Sequence, residues 1–562
     1  MRGWMVVLLT ALVLGACTSM PVRSGVENVE EAEDLSGSTA RYAPAPPSPG
    51  SSPQQVVRGY LDAMLAYPVS RGVAAQFLTP RAEQSWRPSD RTEIYTEPHA
   101  GTPREGEDHG VEVTLTRQVD AVLDPQGRRT PKDARESTTL ELERVAGEWR
   151  ISNPPSGLMV NEKFAADYIR PFSIYFFDAS GANLVPDLVH LVVGDTLPTS
   201  LVLSLARGPA EESGSVRTHL PPAADLRPSV PVSPDGVADV ELSEETESLD
   251  GPAAQRMSAQ LVWTLRQLDD ITGVRVLGTT ALRLPGGDSV QSVDAWSRYE
   301  PRASDGGPWV VRDGALAELR DGSVRPVDGP WAEDAQGVSR VSVWDGRVAV
   351  LLPDDNTVRV ADRQGEERLD VAGASVSDLS WSHDGTLLVL DRPGGAPRVR
   401  IVDEGDVDVV QTQGLGDALA VRLSPEGGRY VALSGDRLLV GAVVRDDNGD
   451  VVRLDRPREV PISQESLRSP VWIDGTRLAF LAETDIGQQV HSVNIDGSDL
   501  QGGRAGGVAL PQGAQARELV VDGGSRPGHW VLDADGSVWF LPRGGGWSSV
   551  DDATFTALGS PG

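Results

Sequence analysis

The chain has one cysteine, two lysines and few aromatic residues, and each scarcity excludes something. With Cys17 as the only cysteine, no intramolecular disulfide can form. Lysine occurs only as Lys132 and Lys163, so the cationic side is almost entirely arginine. This reads as the codon bias of a GC-rich genome, not as a phosphate-binding device. Bases are also outnumbered, 51 against 82 acids, for a formal net charge of −31. That balance argues against non-specific nucleic-acid binding, which needs clustered Lys and Arg to displace counterions. A long apolar run is missing too. The leading stretch, Trp4 to Leu14, falls well short of the roughly 20 residues that span a bilayer. Aromatics are 5% of the chain, and the 13 tryptophans outnumber phenylalanine and tyrosine. In contrast, 60 glycines and 41 prolines among 562 residues suit a turn-rich β protein. At roughly 150 residues per domain the length predicts three or four domains, each able to bury a core.

The N-terminus reads as an export signal. Arg2 supplies a short positive region, the apolar run follows, and Leu14-Gly15-Ala16-Cys17 ends it. An aliphatic residue, two small ones and a cysteine form the lipobox of bacterial lipoproteins. Cys17 is therefore the expected lipidation site, its thiol linked to diacylglycerol and its acyl chains (palmitate among them) seated in the membrane. After removal of 1–16, residues 17–52 are expected to be a disordered tether. They carry Glu27, Glu30, Glu31, Glu33 and Asp34, then Pro44, Pro46, Pro47 and Pro49, with almost nothing to bury. Such a tether reaches about 30–35 Å.

Two mixed regions follow. In 53–155, Ser52-Pro53-Gln54-Gln55 reads as a helix start with a capping box, and Val56, Val57, Tyr60, Leu61, Met64 and Leu65 keep a helical stripe. A second short helix carries Phe77 and Leu78 and stops before Pro80. Alternating segments come next, at Thr92–Glu97, around Val111, Val113 and Leu115, and from Leu140 through Ala146-Gly147 into Ile151. The ending VAGEWRIS resembles the closing hairpin of NTF2-like (nuclear-transport-factor-like) α+β cones. No converging acid–base set is evident there. In 156–285, SIYFFD reads as a strand, Pro198–Ala206 as a helix, and Met257, Leu261, Leu265 and Leu268 as a helical stripe before the strand Val274–Leu277. The stretches TLPTSLVLSLARGP, GVADVELS and AQLVWTLRQLDDITGVRVL resemble the α+β GerMN domain of envelope and wall-associated proteins.

From 290 to 562 an internal period dominates. Acid-Gly turns precede apolar runs at Asp305-Gly306, Asp345-Gly346, Asp384-Gly385, Glu426-Gly427, Asp474-Gly475 and Asp522-Gly523, in steps of 40, 39, 42, 48 and 48 residues. That is the length of a four-stranded propeller blade. Six origins predict an all-β propeller of about six blades, with seven as the alternative. Trp344, Trp381 and Trp472, just before their turns, are expected to fill the space between blades.

Catalytic signals are missing. The chain has no phosphate-binding Gly-Lys loop, no G-x-S-x-G, no H-E-x-x-H and no C-x-x-C. Its seven histidines (His99, His109, His190, His219, His383, His491 and His529) show no ligand spacing, and His383 reads as a turn residue. Asp446-Asp447-Asn448-Gly449-Asp450 lacks the distal glutamate of a calcium loop and reads as a solvated turn. No catalytic residue, metal or cofactor is expected, and the chain reads as a non-enzyme.

The whole layout resembles the LpqB lipoproteins of actinobacteria, most characteristically in NPPSGLMVNEKFAADYIRPFSIYFFDASGANLVPD (153–187). The resemblance implies an extracytoplasmic, membrane-anchored lipoprotein that contacts the extracytoplasmic domain of an MtrB-like sensor kinase. It would thereby modulate signalling to the regulator MtrA in cell-wall homeostasis and division. Two alternatives remain: a peptidoglycan- or cell-wall-binding scaffold, and a propeller hydrolase with a metal or acids in its channel. Wall sedimentation and metal analysis separate them.

Overall fold

The computed structural model describes residues 44–561 except 66–71, 107–109, 210–213, 222–228, 243–250, 279–288, 302–305, 321–322, 353–355, 363–367, 374, 404, 499–506, 523–527 and 551–552. The expectations for the signal peptide, Cys17 and the tether up to residue 43 lie outside the described residues. Residues 44–52 were expected to be disordered tether. Instead they end in a turn whose Gly50 N–H donates to Glu148 Oε2 at 2.8 Å, which holds the segment against the first sheet.

Ser52 caps helix α1 (Pro53–Met64) with the reciprocal Ser52–Gln55 bonds of a capping box. After α2 (Gly72–Ala75), Pro80 does not merely stop a helix. It sits in the first turn of α3 (Pro80–Ser85), capped by Thr79, where a missing N–H leaves nothing unsatisfied. Strands β1 (Thr92–Ala100), β2 (Arg104–Glu105), β3 (Val111–Leu123), β4 (Arg129–Val145), β5 (Glu148–Ile151) and β6 (Leu158–Asn161) form one sheet. Its order is β5-β4-β3-β1-β6, with β2 on β3. Val57, Tyr60 and Leu61 of α1 pack on Leu115, Leu140 and Ile151 to make its core.

The first boundary moves. β6 pairs in parallel with β1, Leu158 opposite Thr92, and α4 (Glu162–Tyr168) follows directly. Residues 156–168, read above as the start of the GerMN region, thus complete the first domain. β1 needs a partner on its free edge, and Leu158, Met159 and Val160 are buried in supplying it.

The second domain holds two small sheets. One is β7 (Ile169–Asp178) between β8 (Leu184–Val192) and β9 (Val216–Arg217). The other orders β10 (Val237–Glu241), β11 (Gly273–Leu277) and β12 (Val290–Ser292), with helix α5 (Leu197–Ala206) before β10 and α6 (Gly251–Leu265) between β10 and β11. Met257, Leu261 and Leu265 of α6 are fully buried. β9 covers only the end of β7, so polar side chains complete the edge. Thr264 Oγ1 accepts the Tyr175 N–H, Gln260 donates to the Tyr175 carbonyl, and Gln267 bonds both backbone groups of Ser173. The second boundary moves as well. β12 closes the β10-β11 sheet, and Trp296 enters the same core with its Nε1 on Ser258. Residues 290–299, read as propeller, belong to this domain because their apolar side chains are buried there.

The remainder forms six blades around a channel, five of them four-stranded and antiparallel; in blade 4 the short strands Gln411–Thr412, paired in parallel, and Arg458–Glu459 bring the sheet to six. The inner strands of blades 2 to 6 are Arg340–Trp344, Val376–Trp381, Ala420–Leu423, Glu465–Asp474 and Ala516–Val521. The inner strand of blade 1 is the last of the chain, Phe555–Pro561, paired with Trp309–Arg312 and touching blade 2 through Ser560 opposite Ser342. Each acid-Gly origin precedes the second strand of its blade, so the period of about 40 is in phase throughout. At blade 1 no inner strand comes before that point, because Phe555–Pro561 supplies it. The tryptophans sit as expected. Trp344 stacks on Trp381 (5.7 Å between centroids) and donates to the His383 carbonyl of the next blade. Trp472 donates to the Arg422 carbonyl of the previous one.

Candidate functional site

The propeller channel concentrates charge from four inner strands. Arg340 donates to both oxygens of Glu518 at 3.0 and 2.8 Å. Arg422 reaches Glu518 at 2.6 Å and Asp378 at 3.3 Å, and Arg340 lies 3.6 Å from Asp378. Two cations and two anions thus alternate around a closed ring joining blades 2, 3, 4 and 6. Burial alone would push the Glu518 carboxyl up, but Arg340 and Arg422 outweigh it and hold it below the usual range. Burial would likewise lower Arg422, and Asp378 and Glu518 reverse that and raise it. Both acids are engaged as counterions of Arg340 and Arg422. Around the ring, Ser342, Ser380 and Ser469 each accept a backbone N–H from the next inner strand, of Trp381, Leu423 and Leu519.

In the first domain, Arg117 points inward in the row Val113, Leu115, Arg117, Val119, where it bonds Glu93 and Thr138; both charged side chains are 2% exposed. Burial pushes neighbouring Tyr95 up to about 12. The sequence reading missed this pair, although a charge on the apolar face of an alternating strand was its signal. Glu93 is committed to Arg117, so the pair offers no free acid or base.

The third cluster joins all three domains. The β3–β4 turn of the first domain lies against β8, with His190 N–H donating to the Gly127 carbonyl at 2.7 Å. Arg128 of that turn pairs with Asp187 at 2.9 Å, and Arg429 of blade 4 lies 3.7 Å from the same carboxylate. His190 meets Asp496 of blade 5 at 2.7 Å, both buried. Leu188 lies in an apolar cluster otherwise made of propeller residues such as Val440 and Trp472. An Arg–carboxylate pair 59 residues apart and a His–Asp pair 306 apart carry no local sequence signature.

The other sequence candidates are dispersed. His383 occupies the turn of blade 3, its N–H on the Pro425 carbonyl. Asp446 Oδ1 accepts the N–H groups of Asn448 and Asp450, which closes a turn between strands, and Asp447 pairs with Arg217 of the second domain. Among the described residues no group of three or more His, Cys, Asp or Glu is placed to hold a metal ion. No described helix is long and apolar enough to cross a membrane.

Comparison with known proteins follows the same three parts. The profile described as "Lipoprotein LpqB, N-terminal domain" matches residues 46–166, "Sporulation and spore germination" matches 173–278, and "Lipoprotein LpqB beta-propeller domain" matches 314–557. The chain belongs to the LpqB lipoprotein family. Lipoprotein LpqB of Thermobifida fusca is 27% identical over 87% of this chain and 88% of its own. Lipoprotein LpqB of Nocardia farcinica is 28% identical over 87% and 86%. Among solved structures, TolB from Acinetobacter baumannii shares 12% identity at a TM-score of 0.33, covering 52% of this chain and 84% of that one. As an LpqB-family member the chain is a membrane-anchored envelope lipoprotein. Its LpqB N-terminal match runs to residue 166, past the expected limit of 155 and in line with β6 and α4.

Proposed function

We propose that this LpqB-family protein is a non-enzymatic accessory of an envelope two-component system. In this reading it is lipid-anchored at Cys17 on the extracytoplasmic face, binds the extracytoplasmic domain of an MtrB-like sensor kinase and biases signalling to an MtrA-like regulator. Cell-wall homeostasis and division are the processes affected. The observation that carries the reading is the channel ring, in which Arg340 and Arg422 neutralise Asp378 and Glu518. A propeller whose central acids are already paired presents rigid loop surfaces to other macromolecules, rather than a reaction centre. The lipid anchor confines it to the layer a sensor ectodomain occupies, which raises effective concentration and lets a weak contact be populated. The net charge of −31 favours a basic patch on the partner and salt-sensitive association. To alter the kinase, the protein must bind one signalling state better than the other.

The test is capture in living cells. A photocrosslinking amino acid replaces exposed Ile486, Leu419 or Val409 on separate loops and edges of the propeller. A sensor-kinase ectodomain as the dominant adduct is the expected result. Wall-synthesis proteins or glycan at every position, with no kinase, would overturn the reading in favour of a wall-binding scaffold.

A further inference from the structure

A cleft of about 140 Å³ opens where the three domains meet, between the β3–β4 turn, β8 and blade 4. On that measure one water needs roughly 10–15 Å³, so the cleft has room for a multi-atom group. Five arginines line it (Arg128, Arg129, Arg429, Arg456 and Arg458) against three aspartates, Asp187, Asp455 and Asp496. In a chain with a large excess of acids, this is a local reversal of sign.

The aspartates are already taken. Asp187 is held by Arg128 and Arg429, Asp455 by Arg453, and Asp496 by His190 and Ser498. The arginines are not all taken. Arg129 donates only to the Asp496 carbonyl, and Arg456 and Arg458 are exposed at the rim; none of the three has a carboxylate within ion-pair distance among the described residues. Surplus positive charge therefore faces the open space. If the cluster served only to join the domains, its charges would balance internally.

We propose that this cleft binds a phosphate group. The guanidinium fork matches phosphate oxygens in a bidentate way, and charge-assisted bonds of this kind are the stronger ones. The cleft walls come from three domains, so an occupant would tie them together and stabilise the folded body in proportion to its occupancy. The group could arrive as free phosphate or as the phosphodiester of a lipid headgroup, and both present the same oxygens.

The test is calorimetric titration of the detergent-solubilised full chain at constant ionic strength. Inorganic phosphate and glycerophosphoglycerol, the soluble headgroup of an anionic lipid, are titrated separately. Saturable binding of one or both is expected, and tighter binding of the diester would identify the lipid source. The Arg456→Gln/Arg458→Gln double variant should weaken binding at least about tenfold. Its thermal midpoint without ligand should match wild type, because these two exposed side chains pair with no carboxylate among the described residues. Arg320→Gln, a surface change on blade 1, should leave binding unchanged. No saturable heat with either compound into the millimolar range overturns the proposal, as does equal binding by the double variant.

Discussion

His190 of the second domain and Asp496 of blade 5, 306 positions apart, share a 2.7 Å hydrogen bond in which both side chains are buried. Burial alone would raise the Asp496 carboxyl. The bond and charge of His190, with help from Ser498, outweigh that and hold it below the usual aspartate range. The unfolded chain therefore binds this proton more readily than the folded one. The contribution is fully present above the ordinary aspartate pKa of about 3.9 and is lost as pH falls through the lowered folded value. Asp496→Asn should cost about 2 kcal/mol at neutral pH. Its deficit relative to wild type should shrink on acidification below pH ~4. Denaturant unfolding at several pH values measures both, and a deficit independent of pH would sink the argument.

The channel ring predicts an asymmetry. Arg422→Met leaves Asp378 and Glu518 facing each other with one cation between them. The expected cost is about 3–5 kcal/mol, the scale for stranding a buried charge. In a double-mutant cycle, adding Glu518→Gln should recover part of that loss, since one of the stranded anions is then gone. Purely additive effects would show that the four groups do not act as a ring.

Trp344 should act through both its ring and its N–H. Trp344→Phe keeps an aromatic face for Trp381 but loses the bond to the His383 carbonyl, for about 1 kcal/mol. Trp344→Ala also leaves the stacking face of Trp381 empty and should cost about 3 kcal/mol. Thermal unfolding of the pair checks the order; equal losses would mean the ring contributes nothing.

Two turn glycines separate backbone conformation from crowding. Gly385 has φ +89°, and a Cβ there would lie 2.6 Å from the Trp344 ring. Gly435 has φ +59° with nothing within 4 Å. Gly435→Ala should cost about 1 kcal/mol, the left-handed penalty alone. Gly385→Ala should cost roughly 1–3 kcal/mol more, because the inter-blade aromatic stack must shift. Equal costs in denaturant unfolding would show that the stack yields freely.

What could be read from the sequence was what is local. The Ser52–Gln55 cap, the stripes of α1 and α6, and the acid-Gly turns each declare themselves within a few residues. The six-fold period survived because each turn precedes the same strand of its blade. What stayed hidden depends on distant partners. Leu158–Val160 was read with the GerMN region and Val290–Ser292 with the propeller, because a short strand beside a boundary has no period to reveal which sheet it joins. Arg340, Asp378, Arg422 and Glu518 share no local signal, since only ring closure brings them together. The lining of the three-domain cleft shares that difficulty, for its arginines lie on segments separated by about 300 residues.

Phe555–Pro561 follows the other propeller strands in the sequence, yet it forms the inner strand of the first blade. Until it pairs, the earlier blades hold an open arc with Trp309–Arg312 bare on one side. Without Phe555–Pro561 this seam is lost, and two strand edges, at Trp309–Arg312 and Arg340–Trp344, are left to pair with other chains. One strand distant in sequence thus acts as the clasp of the ring, joining the first blade to the second.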